Sequence, residues 1–465
     1  MAMGKKKRKR QQSMWMLTSE LPTSPAHPFY SRLNVILEER RFDEFAESRC
    51  RRFYSDIGRP GLAPGRYFRL LLLGYFEGLD SERGIAWRAA DSLGVRSFLG
   101  LDLSEHGPDH STISRTRRLI DVETHREVFT WVLERLAESG LLDGKTLSVD
   151  GTTLEANAAM RSIVRRDNGQ TYPEYLADLA RASGVKTPSR AALARLDRRR
   201  KKKGSNDEWT SPADPDAKIT KMKDGRTHLA HKAEHAVDLN TGAVVAVTIQ
   251  DAAAGDTSTL TKTLAEAEAR LDRLMRKPEF FDAIDGIQEA VLDRGYHSKD
   301  VLLELEEAGI RSYVAEPDRG RRRWRDDIDA QMATYANRRR IRGARGQRLH
   351  RRRAELTERS FAHAYETGAM RRTHLRGHPN ILKRLLIHLC AFNLGLLMRS
   401  LFRSGTPRGL QGCPGRLLAL LLRLYRAWRP TIVAHTRSIR ASTLLCRHRQ
   451  PMLRAMPSSP STTGC

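Results

Sequence analysis

The sequence has few of the features that indicate a secreted, zinc-binding or nucleotide-dependent protein. Its five cysteines are far apart and form no CxxC pair, which argues against a disulfide framework and against a zinc knuckle. No GxxxxGK[ST] loop occurs, so no nucleotide cofactor is expected. The first ten residues are basic without an apolar segment behind them, so no secretory signal is expected there.

Long apolar runs are also missing from the chain. The most apolar run, 385–398, contains His388 and Asn393. A membrane-spanning helix needs roughly 20 consecutive, mostly apolar residues, and this run is both shorter and more polar than that. Together with the scattered cysteines, this predicts a cytoplasmic protein of a reducing compartment with no membrane partner.

Acidic residues are scarce relative to basic ones. The chain has 82 Lys and Arg against 55 Asp and Glu, a formal net charge of +27 over 465 residues. The excess is clustered, as in 5–10 and 198–203. Lysines and arginines that neutralise phosphates release condensed counterions, so clustered positive charge favours nucleic acid as the partner.

Apolar patterning divides the chain into a helical part and a mixed part. We expect a basic disordered tail at 1–14, a helical DNA-binding domain at 15–139, a catalytic domain at 140–402 and a basic tail at 403–465. In the helical domain, Asp109 or Ser111 can cap a short basic helix. That helix resembles the second helix of a helix-turn-helix, although an ordinary bundle with a basic exposed face fits equally well.

The order of elements in the catalytic domain is strand, two-stranded hairpin, helix, strand, helix, strand and helix. The segments are 145–150, 231–239 with 243–249, 257–274, 289–293, 298–308, 310–314 and a helical region from about 353. This order predicts an α/β fold, a mixed sheet with helices on both faces and ribonuclease-H-like connectivity. Two basic stretches, 160–222 and 318–350, are expected to be insertions, the first a long or flexible loop.

Two aspartates follow apolar runs and are candidate metal ligands. Asp150 ends the run 145–150, although Asp-Gly is also a common turn signal. Asp293 ends the run 289–293, where it either joins a site at the carboxyl end of a strand or caps the next helix. Hard cations prefer oxygen ligands, and two such ions can clamp both oxygens of a phosphoryl transfer.

A glutamate in the helical region is the third candidate. On a helix, Glu358 shares a stripe with Phe361, Ala362 and Tyr365, so we expect its side chain to face inward. A buried lone carboxylate is costly unless it is paired or binds metal. The alternative ligand, Glu355, lies four residues before Arg359, a favourable pair on the solvent side.

Four histidines complete the list of candidates. His228, His231 and His235 could suggest a zinc site, but no cysteine or carboxylate set lies nearby at zinc-ligand spacing. We therefore expect these three histidines to face DNA or solvent. His297, beside Asp293, either orients water or phosphate or is simply a neighbour of a helix N-cap.

The span from about 15 to 403 resembles bacterial insertion-sequence transposases of the DDE type, close to the IS5/IS1182-like group. The resemblance is carried by 68–88, Pro-Asp-His-Ser-Thr-Ile-Ser-Arg at 108–115, Val-Asp-Gly-Thr-Thr-Leu-Glu-Ala-Asn-Ala at 149–158, Leu-Asp-Arg-Gly-Tyr-His-Ser at 292–298, Glu-Arg-Ser-Phe at 358–361 and Arg-Arg-Thr-His-Leu-Arg-Gly at 371–377. It implies that Asp150, Asp293 and Glu358 hold two Mg²⁺ or Mn²⁺ ions. It also implies that double-stranded DNA, as element ends and target, is the substrate of a homo-oligomer.

The expected activity is cleavage at the element ends and joining of the 3′ end to target DNA by two-metal in-line phosphoryl transfer. Related transposases often carry a basic residue one or two turns after the glutamate, whereas this chain has Tyr365 there. The candidate DNA contacts are His110, Ser114, Arg115, Arg117, Arg118, Arg294, His297, Arg371 and Arg372. The alternatives are a non-catalytic DNA-binding protein, a degenerate transposase relic, or a structure-specific nuclease on the same fold.

Overall fold

The computed structural model describes residues 26–410, except 59, 186, 201–203, 223, 319, 321–323, 325 and 326. The expected N-terminal tail, most of the C-terminal tail and part of the basic run 198–203 therefore lie outside the described residues. The helical region and the sheet region belong to one compact unit.

Helices form the N-terminal region, as predicted. They are α1 Pro28–Glu39, α2 Phe42–Cys50, α3 Pro64–Phe76, α4 Glu82–Asp91, α5 Leu93–Phe98, α6 His110–Leu119 and α7 Val122–Glu138. Local capping fixes several starts, because a side-chain oxygen satisfies a free backbone N–H of the first turn. Ser81 accepts from Gly84 N at 3.3 Å to begin α4, and Asp109 accepts from Ser111 N at 2.8 Å to begin α6.

The second region is built on a mixed sheet. Its strands are β1 Thr146–Glu155, β2 Val164–Arg165, β3 Trp209–Thr210, β4 Lys218–Lys221, β5 Thr227–Asp238, β6 Val244–Asp251, β7 Glu289–Leu292 and β8 Arg311–Val314. The main sheet has the order β4-β5-β1-β7-β8, with β6 also paired to β5. β1 is antiparallel to β5 but parallel to β7, and β7 is parallel to β8.

The helices of this region are α8 Tyr172–Ala182, α9 Arg190–Arg199, α10 Asp256–Met275, α11 Lys299–Glu307, α12 Ile328–Arg342, α13 Ala344–Phe361 and α14 His378–Phe402. Side chains alternate between the two faces of a strand, so each face can meet its own helix. On one face Thr357 of α13 donates to Ser148 at 3.0 Å; on the other, Thr263 of α10 contacts Thr248 at 2.7 Å. The predicted ribonuclease-H-like mixed sheet with helices on both faces is confirmed.

The described residues of 160–222, expected to be a long insertion or flexible loop, form an ordered subdomain, so the interpretation as a flexible loop is wrong. Thr171 and Glu174 form a capping box at the start of α8. Trp209 on β3 is buried in a small apolar cluster with Ile163 and Leu229. The subdomain is ordered because this aromatic side chain gives it a core of its own that is continuous with β5.

The second expected insertion, 318–350, contains α12 and the first part of α13. Asn337 of α12 accepts from Val314 N at 2.8 Å and donates to Val314 O at 2.9 Å. This pair of bonds satisfies backbone groups of β8, the edge strand, which would otherwise be open to another strand.

The helix α14 is longer than its most apolar run. By length and composition its 25 residues would pass as a membrane span, but 72% of its most apolar window is buried inside the protein. Lys383 donates to Arg117 O at 3.0 Å, and Asn393 bonds Val244 N at 3.0 Å. α14 is therefore a core helix that packs between the N-terminal helices and the sheet.

Candidate active site

Asp150 lies in the middle of a strand rather than in a turn. β1 continues to Glu155 because its pairing with β5 extends that far, with Asp150 opposite His235. The Oδ1 atom of Asp150 accepts from Gly151 N at 2.8 Å. The strand thus fixes the direction of this carboxylate, and the alternative interpretation as a turn residue is wrong.

Asp293 lies beside Asp150 because their strands are parallel neighbours. Leu292 of β7 is paired with Val149 of β1, and Asp293 and Asp150 are the residues that directly follow this pair. Asp293 begins a 3₁₀ turn, Arg294–Tyr296, and accepts from Arg294 N at 2.7 Å. Its side chain is 55% exposed, so the carboxylate is open to ligands.

A single cationic nitrogen faces both carboxylates. Nη2 of Arg353, on α13, lies 2.7 Å from Asp150 Oδ2 and 3.8 Å from Asp293 Oδ2. Burial raises the pKa of Asp150, Arg353 opposes that shift, and the charge of Asp293 adds to it. Two oxygen donors around one cation is the arrangement that a divalent ion needs from its protein ligands.

Glu358 does not face inward as expected. Its side chain is exposed, whereas Arg353, Thr357 and Ser360 point toward the sheet. Ala362 on the expected stripe is also exposed and Phe361 is only half-buried, while Tyr365 is buried because it lies within a π-helical turn, Ala362–Thr367, which changes the helical phase. Within the described residues no hydrogen bond or ion pair joins Glu358 to either aspartate.

The competing glutamate behaves as predicted. Glu355 is exposed and lies 2.5 Å from Arg359 in an (i, i+4) pair. Within the described residues, no group of three or more His, Cys, Asp or Glu is arranged to hold a metal ion. Of the three predicted ligands, the structure brings together the pair Asp150 and Asp293.

A buried polar network lies behind the two aspartates. Glu234 on β5 is fully buried and accepts from Tyr296 Oη at 2.9 Å, Thr263 Oγ1 at 2.7 Å and Lys232 Nζ at 3.1 Å. Lys232 also donates to Asp256 at 2.7 Å, at the start of α10. The network ties the turn that follows Asp293 to β5 and α10.

Sequence analysis missed this network. The signal was the two pairs of adjacent polar residues, His231-Lys232 and Glu234-His235, inside an otherwise apolar hairpin. A strand with polar groups on both faces must satisfy them on both faces when it is buried. Gly295 is part of the same arrangement, because a methyl group there would overlap the Asp256 carboxylate.

The prediction that the histidines of β5 face DNA or solvent is wrong for two of them. His231 is buried 3.0 Å from Asp214, and His235 is buried 2.9 Å from Ser360 Oγ and 2.7 Å from Tyr365 Oη. The Ser360 hydroxyl already donates to a backbone carbonyl, so His235 carries its proton on Nδ1 and accepts from Tyr365. Burial lowers the pKa of His235 to about 3. His228 is partly exposed, 3.0 Å from Asp224.

Two of the candidate DNA contacts are buried, which corrects their assignment. Arg117 forms an ion pair with Glu82 between α6 and α4, and His297 is enclosed beside the Asp293 turn. Neither side chain can reach DNA in this conformation. The remaining candidates are exposed or partly exposed: His110, Ser114, Arg115, Arg118, Arg294, Arg371 and Arg372.

The segment 371–373 brings two arginines to the end of β1. Glu155 N donates to Arg371 O at 3.2 Å, and Thr373 N donates to Glu155 O at 3.0 Å. Arg372 Nε lies 3.7 Å from the Glu155 carboxylate. The segment that carries these arginines therefore lies alongside the end of β1, about 16 Å along that strand from Asp150.

Two family models match the chain. Residues 19–119 match the Transposase domain (DUF772), and residues 143–394 match the Transposase DDE domain, which spans more than half of the chain. No curated protein and no solved structure matches it. The second match contains Asp150, Asp293, Arg353 and Glu358.

Proposed function

The chain belongs to the DDE transposase family, and from this we propose that it is an insertion-sequence transposase of the IS5/IS1182-like group. Its reaction would cleave phosphodiesters at the ends of a DNA element and join each freed 3′ end to target DNA. The observation that carries the proposal is the shared cation position between Asp150 and Asp293, which two neighbouring parallel strands create.

In this proposal Asp150 and Asp293 are the two fixed ligands. When bound, two Mg²⁺ or Mn²⁺ ions would activate the attacking oxygen and stabilise the leaving 3′ oxygen. Asp150 is held by its strand on both sides, and Asp293 is held through the turn that Tyr296 anchors to Glu234. Their role is to fix the geometry of an in-line displacement, which needs positioning more than covalent chemistry.

Glu358 is proposed as the third ligand. It is exposed on α13, the helix that also carries Arg353, and is not engaged in an ion pair within the described residues. Glu355 is less suited, because it is already paired with Arg359. Turning Glu358 toward the aspartates would take a rearrangement of the end of α13 on DNA binding, because Glu358 lies about 140° round the helix from Arg353.

The exposed arginines are proposed to hold the substrate. Arg294 follows Asp293 directly, and Arg371 and Arg372 lie on a segment that pairs with Glu155 at the end of the strand that carries Asp150. Arg115 and Arg118 on α6 would bind a second stretch of duplex, since positive side chains on one helix neutralise consecutive phosphates. A homo-oligomer that pairs two element ends is part of the proposal.

A strand-transfer assay tests the proposal. The substrate is a labelled duplex that carries the inverted repeat flanking the gene, incubated with target DNA and Mg²⁺. We expect D150N, D293N and E358Q each to lower strand transfer by at least about 100-fold while duplex binding persists. E355Q is the matched control and should retain activity.

The same assay separates the alternatives. A non-catalytic DNA-binding protein or transposase relic would bind the duplex without nicking it, and a nuclease would nick it without joining the 3′ end to the target. Full activity of D150N or D293N would refute the proposed site. Loss of activity in E355Q but not in E358Q would assign the third ligand to Glu355.

A further inference from the structure

We propose that Arg353 is a positioning residue that holds Asp150 and Asp293 together in the metal-free protein and is displaced when a divalent ion binds. The inference rests on the proposed function, because it assumes that these two carboxylates are metal ligands. It assigns a role to an arginine inside a basic stretch whose other members are mostly exposed.

The first argument is geometric. One nitrogen, Nη2 of Arg353, lies 2.7 Å from one carboxylate and 3.8 Å from the other, so it occupies the position between them. The Arg353 side chain is only 14% exposed, whereas that of Asp293 is 55% exposed. Arg353 therefore approaches the pair from the protein interior and leaves the solvent side of Asp293 free.

The second argument comes from bonding capacity. A guanidinium has only donors, and a hard cation needs the same carboxylate lone pairs that Arg353 now uses. A divalent ion and Nη2 carry the same sign of charge and cannot share this position. Metal binding therefore requires the guanidinium to move away from Asp150 Oδ2.

The third argument is that little else holds the guanidinium in place. The buried Nε of Arg353 has no hydrogen-bond partner in the part of the chain that the structure describes. Its ion pairs run through Nη2 to the two aspartates. The neighbouring Arg352 is exposed and donates instead to Asn240 O at 3.1 Å, which makes it a matched control on the same helix.

The test compares the full-length wild type with R353Q and R352Q in the absence of DNA. Mn²⁺ binding is measured by titration calorimetry, and thermal melting is measured with and without Mn²⁺. If the site accepts metal only while Arg353 is displaced, the apparent Mn²⁺ affinity of the wild type equals the intrinsic affinity multiplied by the fraction of molecules in which Arg353 is displaced. We expect R353Q to bind Mn²⁺ at least about threefold more tightly than the wild type. Without metal, R353Q should also melt at a lower temperature than the wild type. Its melting temperature should rise more than that of the wild type when Mn²⁺ is added. R352Q should match the wild type in all of these measurements.

A merely structural role for Arg353 predicts the opposite sign, because a loosened site binds metal more weakly. Equal or weaker Mn²⁺ binding by R353Q would overturn the inference and leave the proposed function intact. Absence of Mn²⁺ binding by both the wild type and R353Q would count against the proposed metal site itself, and against the inference with it. If R353Q does not fold, R353M replaces it, since methionine keeps an unbranched apolar stem and removes the charge; the same increase is expected.

Discussion

The buried histidine opposite Asp150 should make the fold sensitive to acid. His235 bonds Ser360 and Tyr365 and thereby joins β5 to the end of α13 and the π-helical turn that follows it. Its neutral form makes both bonds, because one ring nitrogen donates and the other accepts. We predict that H235Q, which keeps a donor and an acceptor but cannot become charged, removes this residue's share of the acid sensitivity.

The magnitude follows from the pKa of His235, which burial lowers from 6.5 to about 3. Between these two values the unfolded chain binds a proton that the folded protein does not, so stability falls as the pH falls below 6.5. The contribution is fully present above pH 6.5 and is lost progressively toward pH 3. At pH 5 the loss is about 2 kcal/mol, from about 1.5 pH units at about 1.4 kcal/mol each.

Urea denaturation at pH 7.5 and pH 5.0 measures the effect. From pH 7.5 to pH 5.0, the free energy of unfolding should fall by about 2 kcal/mol more in the wild type than in H235Q. This difference does not depend on how far the substitution itself destabilises the protein at pH 7.5. H228Q, at a partly exposed histidine of the same strand, is the control and should follow the wild type. A difference between wild type and H235Q below about 0.5 kcal/mol would refute the assignment of a buried neutral histidine.

Three further predictions concern the Asp293 turn, the ordered subdomain and the N-terminal helices. G295A should lower strand transfer by about tenfold or more, because its methyl group displaces the turn after Asp293, while G286A, with room for a methyl group, should not. W209A should lower the free energy of unfolding by about 3–5 kcal/mol and make 160–222 accessible to limited proteolysis. Unchanged protection from the protease would contradict the role of Trp209 as a core residue. R117A should destabilise the protein by about 1–3 kcal/mol in urea denaturation, because it removes the nearer of the two guanidinium groups that face the half-buried Glu82 carboxylate. R118A should leave stability unchanged and lower the salt dependence of DNA binding by about one ion, and an equal loss of stability would argue against an exposed role.

Those parts of the fold that rest on apolar periodicity were predictable from the sequence. The hairpin of β5 and β6, the helix α10 and the strands β7 and β8 lie within a few residues of their expected bounds. The proximity of Asp150 and Asp293 was predictable for a related reason. The two apolar runs pair as parallel neighbours up to Val149 and Leu292, so the residues that come next, Asp150 and Asp293, must be close even though β1 continues past Asp150.

The orientation of Glu358 was not predictable in the same way. A stripe derived from 3.6 residues per turn holds only while the helix is regular, and the turn at Ala362–Thr367 is π-helical. The ordered subdomain was missed for a different reason. Its core depends on Trp209 meeting Ile163 and Leu229, which are far apart in sequence and give no local period.

Net charge indicated a polyanionic partner but did not separate the arginines that face it from those that hold the fold. Arg117, Arg353 and Arg384 all lie in basic or amphipathic stretches, yet each is largely buried and bonded to a carboxylate or a backbone carbonyl. On α13 the helical phase decides between the two roles. Arg352 is exposed, while Arg353, 100° further round the helix, points at the aspartates. A basic helix that packs over acidic residues at the edge of a sheet can therefore serve two functions at once. Its outer arginines are available to phosphate, and one inner arginine balances the site until a metal ion replaces it.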